Sequence, residues 1–133
     1  MASILLHICL LALDLIEKVQ FDALFSFKYS DRKGTFAAKM CNKVDEAKKS
    51  SRLSTLQNLQ KQITRERNRA IEGMLEEVLV EGYSKKGGQL TGRTRSNKIV
   101  NFIGINSYIG KLVTVNIEQG YLNSLRGKFN REV

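Results

Sequence analysis

Apolar and polar positions follow a helical spacing in the first half of the chain and a strand-like one in the second. Ile4 to Leu13 is apolar except at His7, and Leu10, Leu13, Ile16 and Val19 continue one face, which predicts an N-terminal helix. In Leu24 to Tyr29 large apolar side chains alternate with Ser26 and Lys28, the period of a strand. A polar turn, Ser30 to Thr35, follows, and its Gly34 is suited to positive φ. From Asp45 to Ile71 neither glycine nor proline interrupts a narrow stripe of Leu53, Leu56, Leu59, Ile63, Ala70 and Ile71. That predicts one long helix with Asp45 as its N-cap.

Past Gly73 the period shortens to two. Met74–Glu81, Gln89–Arg95, Lys98–Ile103, Lys111–Glu118 and Ser124–Phe129 read as strands separated by turns rich in Gly or Asn. Five short strands in about sixty residues suit a small closed barrel of the oligonucleotide-binding (OB) type, which removes exposed edges and leaves loops as the adaptable surface. The expected fold is α+β: a helix and strand in residues 1–44, a linking helix in 45–72, and a five-stranded OB-like barrel in 73–133.

Composition narrows the chemistry. With 133 residues and 42% hydrophobic content the chain can form one ordinary domain or two small ones. A net charge of +9 favours a polyanionic partner, nucleic acid or an acidic membrane surface, and the excess rises along the three segments as +2, +3 and +4. Cys9 and Cys41 are too far apart in sequence for a CxxC site, so a reducing, cytoplasmic setting is expected. One histidine and two cysteines make a zinc or iron site improbable. No general acid and base pair, and no nucleophile and base set, can be assembled. The ten-residue apolar run falls far short of the ~20 residues that span a bilayer and lacks a basic flank, so stable membrane insertion is not expected.

The densest polar chemistry lies in Gly92-Arg93-Thr94-Arg95-Ser96-Asn97-Lys98, which sets cations among short hydrogen-bonding side chains between two strands. Such a mixture suits a nucleic-acid backbone, and it equally describes a solvated hairpin connection. Lys85 and Lys86 in the preceding hairpin would extend a basic rim, and Tyr83 or Tyr121, beside loop glycines, could stack on a base. Phe102 and Tyr108 are further rings of this segment. The long helix carries Lys48, Lys49, Arg52, Lys61, Arg65, Arg67 and Arg69 outside its stripe, a pattern open to a spacer or to RNA contact. A module that binds a partner chain or an acidic membrane is the alternative in a different class.

Phe25-Ser26-Phe27-Lys28-Tyr29-Ser30, then Arg32, Gly34, Thr35, Ala37 and Ala38, then Gln89 through Phe102 resemble the C-terminal region of the MiaB-type tRNA methylthiotransferases. Gly110-Lys111-Leu112-Val113 and Ser124-Leu125-Arg126-Gly127 extend the resemblance, which runs from about Leu13 to Lys128. It implies a TRAM domain at about residues 70–131, preceded by the last strand and helices of a radical S-adenosylmethionine barrel. It also implies a tRNA partner engaged at the anticodon stem-loop, with Arg93, Arg95, Asn97, Lys98 and Arg126 as contacts.

The family uses S-adenosylmethionine and two 4Fe-4S clusters to place a methylthio group on isopentenylated adenosine beside the anticodon. This sequence has no CxxxCxxC motif, and Cys9 and Cys41 cannot replace it. The expectation is therefore a tRNA-binding C-terminal piece that holds no cofactor and is inactive alone. It could pair with the missing N-terminal part of the enzyme or self-associate through its orphaned strand.

Overall fold

A computed structural model of the chain describes residues 2–85 and 87–133, the side chains of residues 2–9 excepted. Lys86 and the side chains of His7 and Cys9 thus lie outside the described residues. The chain forms two compact units, 1–64 and 65–133.

In the first unit, helix α1 (Ala2–Val19) and most of helix α2 (Glu46–Ala70) flank an irregular segment. Asp45 caps α2 as its position predicts, its carboxylate accepting the Lys48 N–H at 3.3 Å. Gln60 donates to the Phe21 carbonyl at 2.7 Å and the Thr64 hydroxyl to the Asp22 carbonyl at 3.0 Å, which fastens the exit from α1 along α2. Gly34 adopts φ +84°, as its turn requires. The expected strand Leu24–Tyr29 is not formed: the segment pairs with no strand among the described residues, and Phe25 and Phe27 are 89% and 84% exposed. Alternation encodes a face to be covered, but a strand also needs a neighbour for its N–H and C=O groups, and none is present here.

The second unit is the end of α2 and a barrel. Strands β1 (Leu75–Tyr83), β2 (Leu90–Thr94), β3 (Ile99–Ile103), β4 (Leu112–Gly120) and β5 (Leu125–Glu132) close in the order β1-β2-β3-β5-β4. All five expected strands are present, with ends displaced by up to three residues. Every pairing is antiparallel except β3 with β5, where Val100 faces Leu125 and Phe102 faces Gly127.

Alternate residues point inward, and Val78, Val80, Leu90, Val100, Phe102, Val113, Val115, Ile117 and Leu125 form one buried core. Gly127 is needed in that interior, because a Cβ there would collide with the Val115 side chain. Tyr108 and Phe129 stack against this core, ring centroids 4.6 Å apart and 9° from parallel.

The last turn of α2 is joined to the barrel through Asn68, which is only 4% exposed. Its amide donates to the Tyr121 carbonyl at 2.6 Å and its Oδ1 accepts from Lys98 Nζ at 2.8 Å. One turn on, Glu72 accepts the Gly120 N–H at 2.8 Å, and Gly73 N–H donates to the Ile117 carbonyl at 2.7 Å. Gly120 lets the helix come this close, since any Cβ would run into the Asn68 carbonyl.

Candidate nucleic-acid interface

The basic run becomes the end of β2 and the tight turn into β3. Thr94, 6% exposed, organises it: its hydroxyl oxygen accepts the Lys98 N–H at 3.1 Å, and its own N–H donates to the Lys98 carbonyl at 3.0 Å. Ser96 Oγ lies 3.0 Å from the same hydroxyl. Asn97 turns the chain with φ +63°, a conformation that asparagine accepts better than most residues.

The cations on this frame are held rather than loose. The Arg93 guanidinium bridges two partners, donating through Nε to Glu81 at 3.1 Å and through Nη1 to Asn97 Oδ1 at 2.9 Å. Arg95, 82% exposed, donates through Nε to Glu77 at 2.6 Å. Both carboxylates come from β1, where Glu77 and Glu81 flank Leu79, the residue opposite Arg93 in the ladder. Lys98 reaches Asn68 on α2.

Arg126 lies on β5, opposite Asn101 of β3, and stands 3.5 Å from Glu118. The structure therefore gathers Arg93, Arg95, Asn97 and Lys98 in one turn. It places Arg126 two strands away and exposed Lys85 at the far end of β2. Exposed ion pairs of this kind contribute ~0–1 kcal/mol each, so they orient the arginines without locking them away from a phosphate.

Of the four barrel rings named from the sequence, Phe102 is fully buried and Tyr108 is stacked on a fifth, Phe129, so both belong to packing. Tyr83 and Tyr121 remain 59% and 44% exposed, and the Tyr121 hydroxyl donates to Gln119 at 2.7 Å. Sequence reasoning missed Lys128 and Arg131, exposed residues of β5. Period two from Arg126 would have found Lys128 on the same outward face.

In the first unit, Lys43 bonds Asp31 and holds its carboxyl below the ordinary aspartate range. Lys49 does the same for Glu46, and the shared bond raises the Lys49 ammonium. Lys43 and Lys49 line a pocket of about 270 Å³ together with Tyr29, Ala37, Met40 and Val44. No iron–sulfur cluster fits this donor set. Such clusters are held by several cysteine thiolates, whereas the chain has two cysteines, and Cys41 is exposed. Among the described residues no His, Cys, Asp and Glu group of three or more could hold a metal ion, and no helix is long and apolar enough to cross a membrane.

A closed five-stranded barrel in OB order, carrying a cationic turn, defines the class of this unit, and residues 69–129 match the family described as TRAM domain. That match begins at Arg69, within the last turn of α2, so it includes Glu72 and starts one residue after Asn68. Over 87% of its length the chain is also 55% identical to the tRNA-2-methylthio-N(6)-dimethylallyladenosine synthase of Syntrophus aciditrophicus. It is 51% identical over the same share to the protein of that name from Magnetococcus marinus, and 46% to the one from Thermoanaerobacter sp. strain X514. It spans about a quarter of the length of these relatives, 25–27%. The chain thus carries a TRAM domain and, over most of its length, is similar to a portion of the MiaB-type tRNA methylthiotransferases.

Proposed function

We propose that this chain is the tRNA-binding C-terminal region of a cytoplasmic tRNA methylthiotransferase, of the kind that 2-methylthiolates isopentenyladenosine beside the anticodon. Other parts of such an enzyme supply S-adenosylmethionine and cluster chemistry, and this chain supplies affinity. The observation that carries the reading is the Arg93 to Lys98 turn, a rigid cationic loop on a closed OB-like barrel within the TRAM match. Arg93, Arg95, Asn97, Lys98 and Arg126 contact the anticodon stem-loop, with Lys85 at the other end of β2 and Lys86 next to it in sequence. In OB barrels the β2–β3 face and the β1–β2 and β4–β5 loops serve oligonucleotides, which agrees with this placement.

Titration of an anticodon stem-loop at several salt concentrations tests the proposal. About five neutralised phosphates give a slope of log affinity against log salt of roughly −3.5 to −4.5. Absence of binding at low salt, or a flat dependence, refutes it.

A second reading rests on the first unit. The unpaired, alternating Leu24–Tyr29 segment offers backbone donors and acceptors and an aromatic face to a strand of another chain, whether the remainder of such an enzyme or a second copy. Light scattering across a concentration series tests self-association: a mass that stays monomeric excludes the second copy.

A further inference from the structure

The outer face of the barrel centred on β5 is unlike the turn that the sequence singles out. Two cross-strand rows run over it. In the first, Thr91 of β2 faces Asn101 of β3, which faces Arg126 of β5, which faces Gln119 of β4. In the second, Ile103 of β3 faces Lys128 of β5, which faces Asn116 of β4. The residues alternating with these, among them Val100, Phe102, Leu125, Gly127 and Ile117, fill the core, so both rows look outward.

Asparagine is disfavoured in strands, yet Asn101 and Asn116 lie within them, and among the described residues neither side chain makes a hydrogen bond. Lys128 forms no ion pair among the described residues either, whereas the arginines near β1 are met by Glu77 and Glu81. Glu118 lies at the margin of the face, at 3.5 Å from Arg126. Ile103, 76% exposed, and Tyr121 add apolar surface.

We infer that this face is a second binding surface, and that its ligand is an unpaired RNA strand laid along β5. The inference rests on the RNA-binding function proposed above and assigns a different part of the barrel to a different part of the ligand. Arg126 and Lys128, two residues apart and so about 6.7 Å along the strand, take successive phosphates. Asn101, Asn116 and Gln119 carry both donor and acceptor, as base edges require, and such edges are open to side chains when the bases are unpaired. Ile103 and Tyr121 support the faces of the splayed bases. The rigid turn of Arg93 to Lys98 then holds backbone without reading it, and the β5 face distinguishes single strand from duplex.

Fluorescence anisotropy with a labelled unpaired oligoribonucleotide and a duplex of the same sequence separates the two roles. The Asn101→Ala/Asn116→Ala pair is expected to weaken binding of the unpaired strand about tenfold and leave duplex binding within about twofold. Lys128→Gln should weaken the single strand and flatten its salt slope by about 0.7. Arg95→Ala/Lys98→Gln should weaken both ligands. All these residues are at least partly exposed, and a thermal melt checks that the barrel remains folded. Unchanged single-strand binding in both the asparagine pair and Lys128→Gln, or equal losses for strand and duplex, overturns the β5 assignment while leaving RNA binding by the chain intact. Failure of the unaltered chain to bind either RNA overturns both proposals.

Discussion

Replacing Asn68 by alanine tests how the end of α2 is fixed to the barrel. The substitution removes the donor to the Tyr121 carbonyl at 2.6 Å, a weaker contact to the Leu122 carbonyl at 3.4 Å, and the acceptor for Lys98 at 2.8 Å. A neutral hydrogen bond contributes about 1 kcal/mol net, and one to a charged group about 1.5–3 kcal/mol, although Lys98 is only half-buried and can recover water in part. The expected loss is roughly 2–3 kcal/mol. For a unit of about this size that lowers Tm by about 8–24 °C.

Lys98→Met alone should cost about 1 kcal/mol. The double variant should cost less than the sum of the singles, with a coupling of about 1 kcal/mol, because both singles delete the same bond. Guanidinium unfolding followed by the near-ultraviolet signal of the tyrosines measures the cycle. Amide exchange at Tyr121, whose N–H bonds the Ser124 carbonyl at 2.8 Å, should rise in Asn68→Ala. A single-variant loss below about 0.5 kcal/mol, or a coupling indistinguishable from zero, refutes the idea that Asn68 joins helix, turn and hairpin.

Three further outcomes follow from the same structure. Glu77→Gln/Glu81→Gln releases Arg95 and Arg93 and should tighten RNA binding severalfold, more than two copies' worth of the Glu132→Gln control, whose carboxylate pairs with distant Lys111; equal per-charge effects would mean that net charge alone acts. Gly127→Ala places a methyl group against Val115 in a filled core and should cost about 1–3 kcal/mol by denaturant unfolding, whereas Lys128→Ala beside it should cost less than about 0.5. In NMR titrations Asp31 should ionise below the ordinary aspartate value and return towards it in Lys43→Met. Because its folded pKa is depressed, any stability it contributes is present above the unfolded value and lost as pH falls through the folded one.

The barrel was legible because its signal is local and redundant. The strands alternate over much of their length, each is bounded by turn residues, and the outcome differs from expectation only at strand ends, as where β1 runs on past Glu81 to Tyr83. Asp45 was legible for the same reason, since a cap acts within three residues. Leu24–Tyr29 was not, because its alternation specifies a strand only when a neighbouring strand exists. The candidate turn was found, but the pairing of Arg93 and Arg95 with β1 was hidden: register across a hairpin decides which glutamates stand opposite, and register is not a property of either strand alone. Asn68 went unnoticed within a charged helix, since nothing in its neighbours distinguishes a buried amide from an exposed one.

The parallel seam of β3 and β5 also sets a temporal order. The β1–β2 and β2–β3 hairpins join near neighbours and can form within microseconds, while closure must bring Val100 to Leu125 and Leu75 to Asn116 across long intervening chain. Since the sequence contains no proline, no prolyl isomerisation can delay that step. The rate at which the ring shuts is therefore the rate at which a newly made chain first presents the complete β5 face.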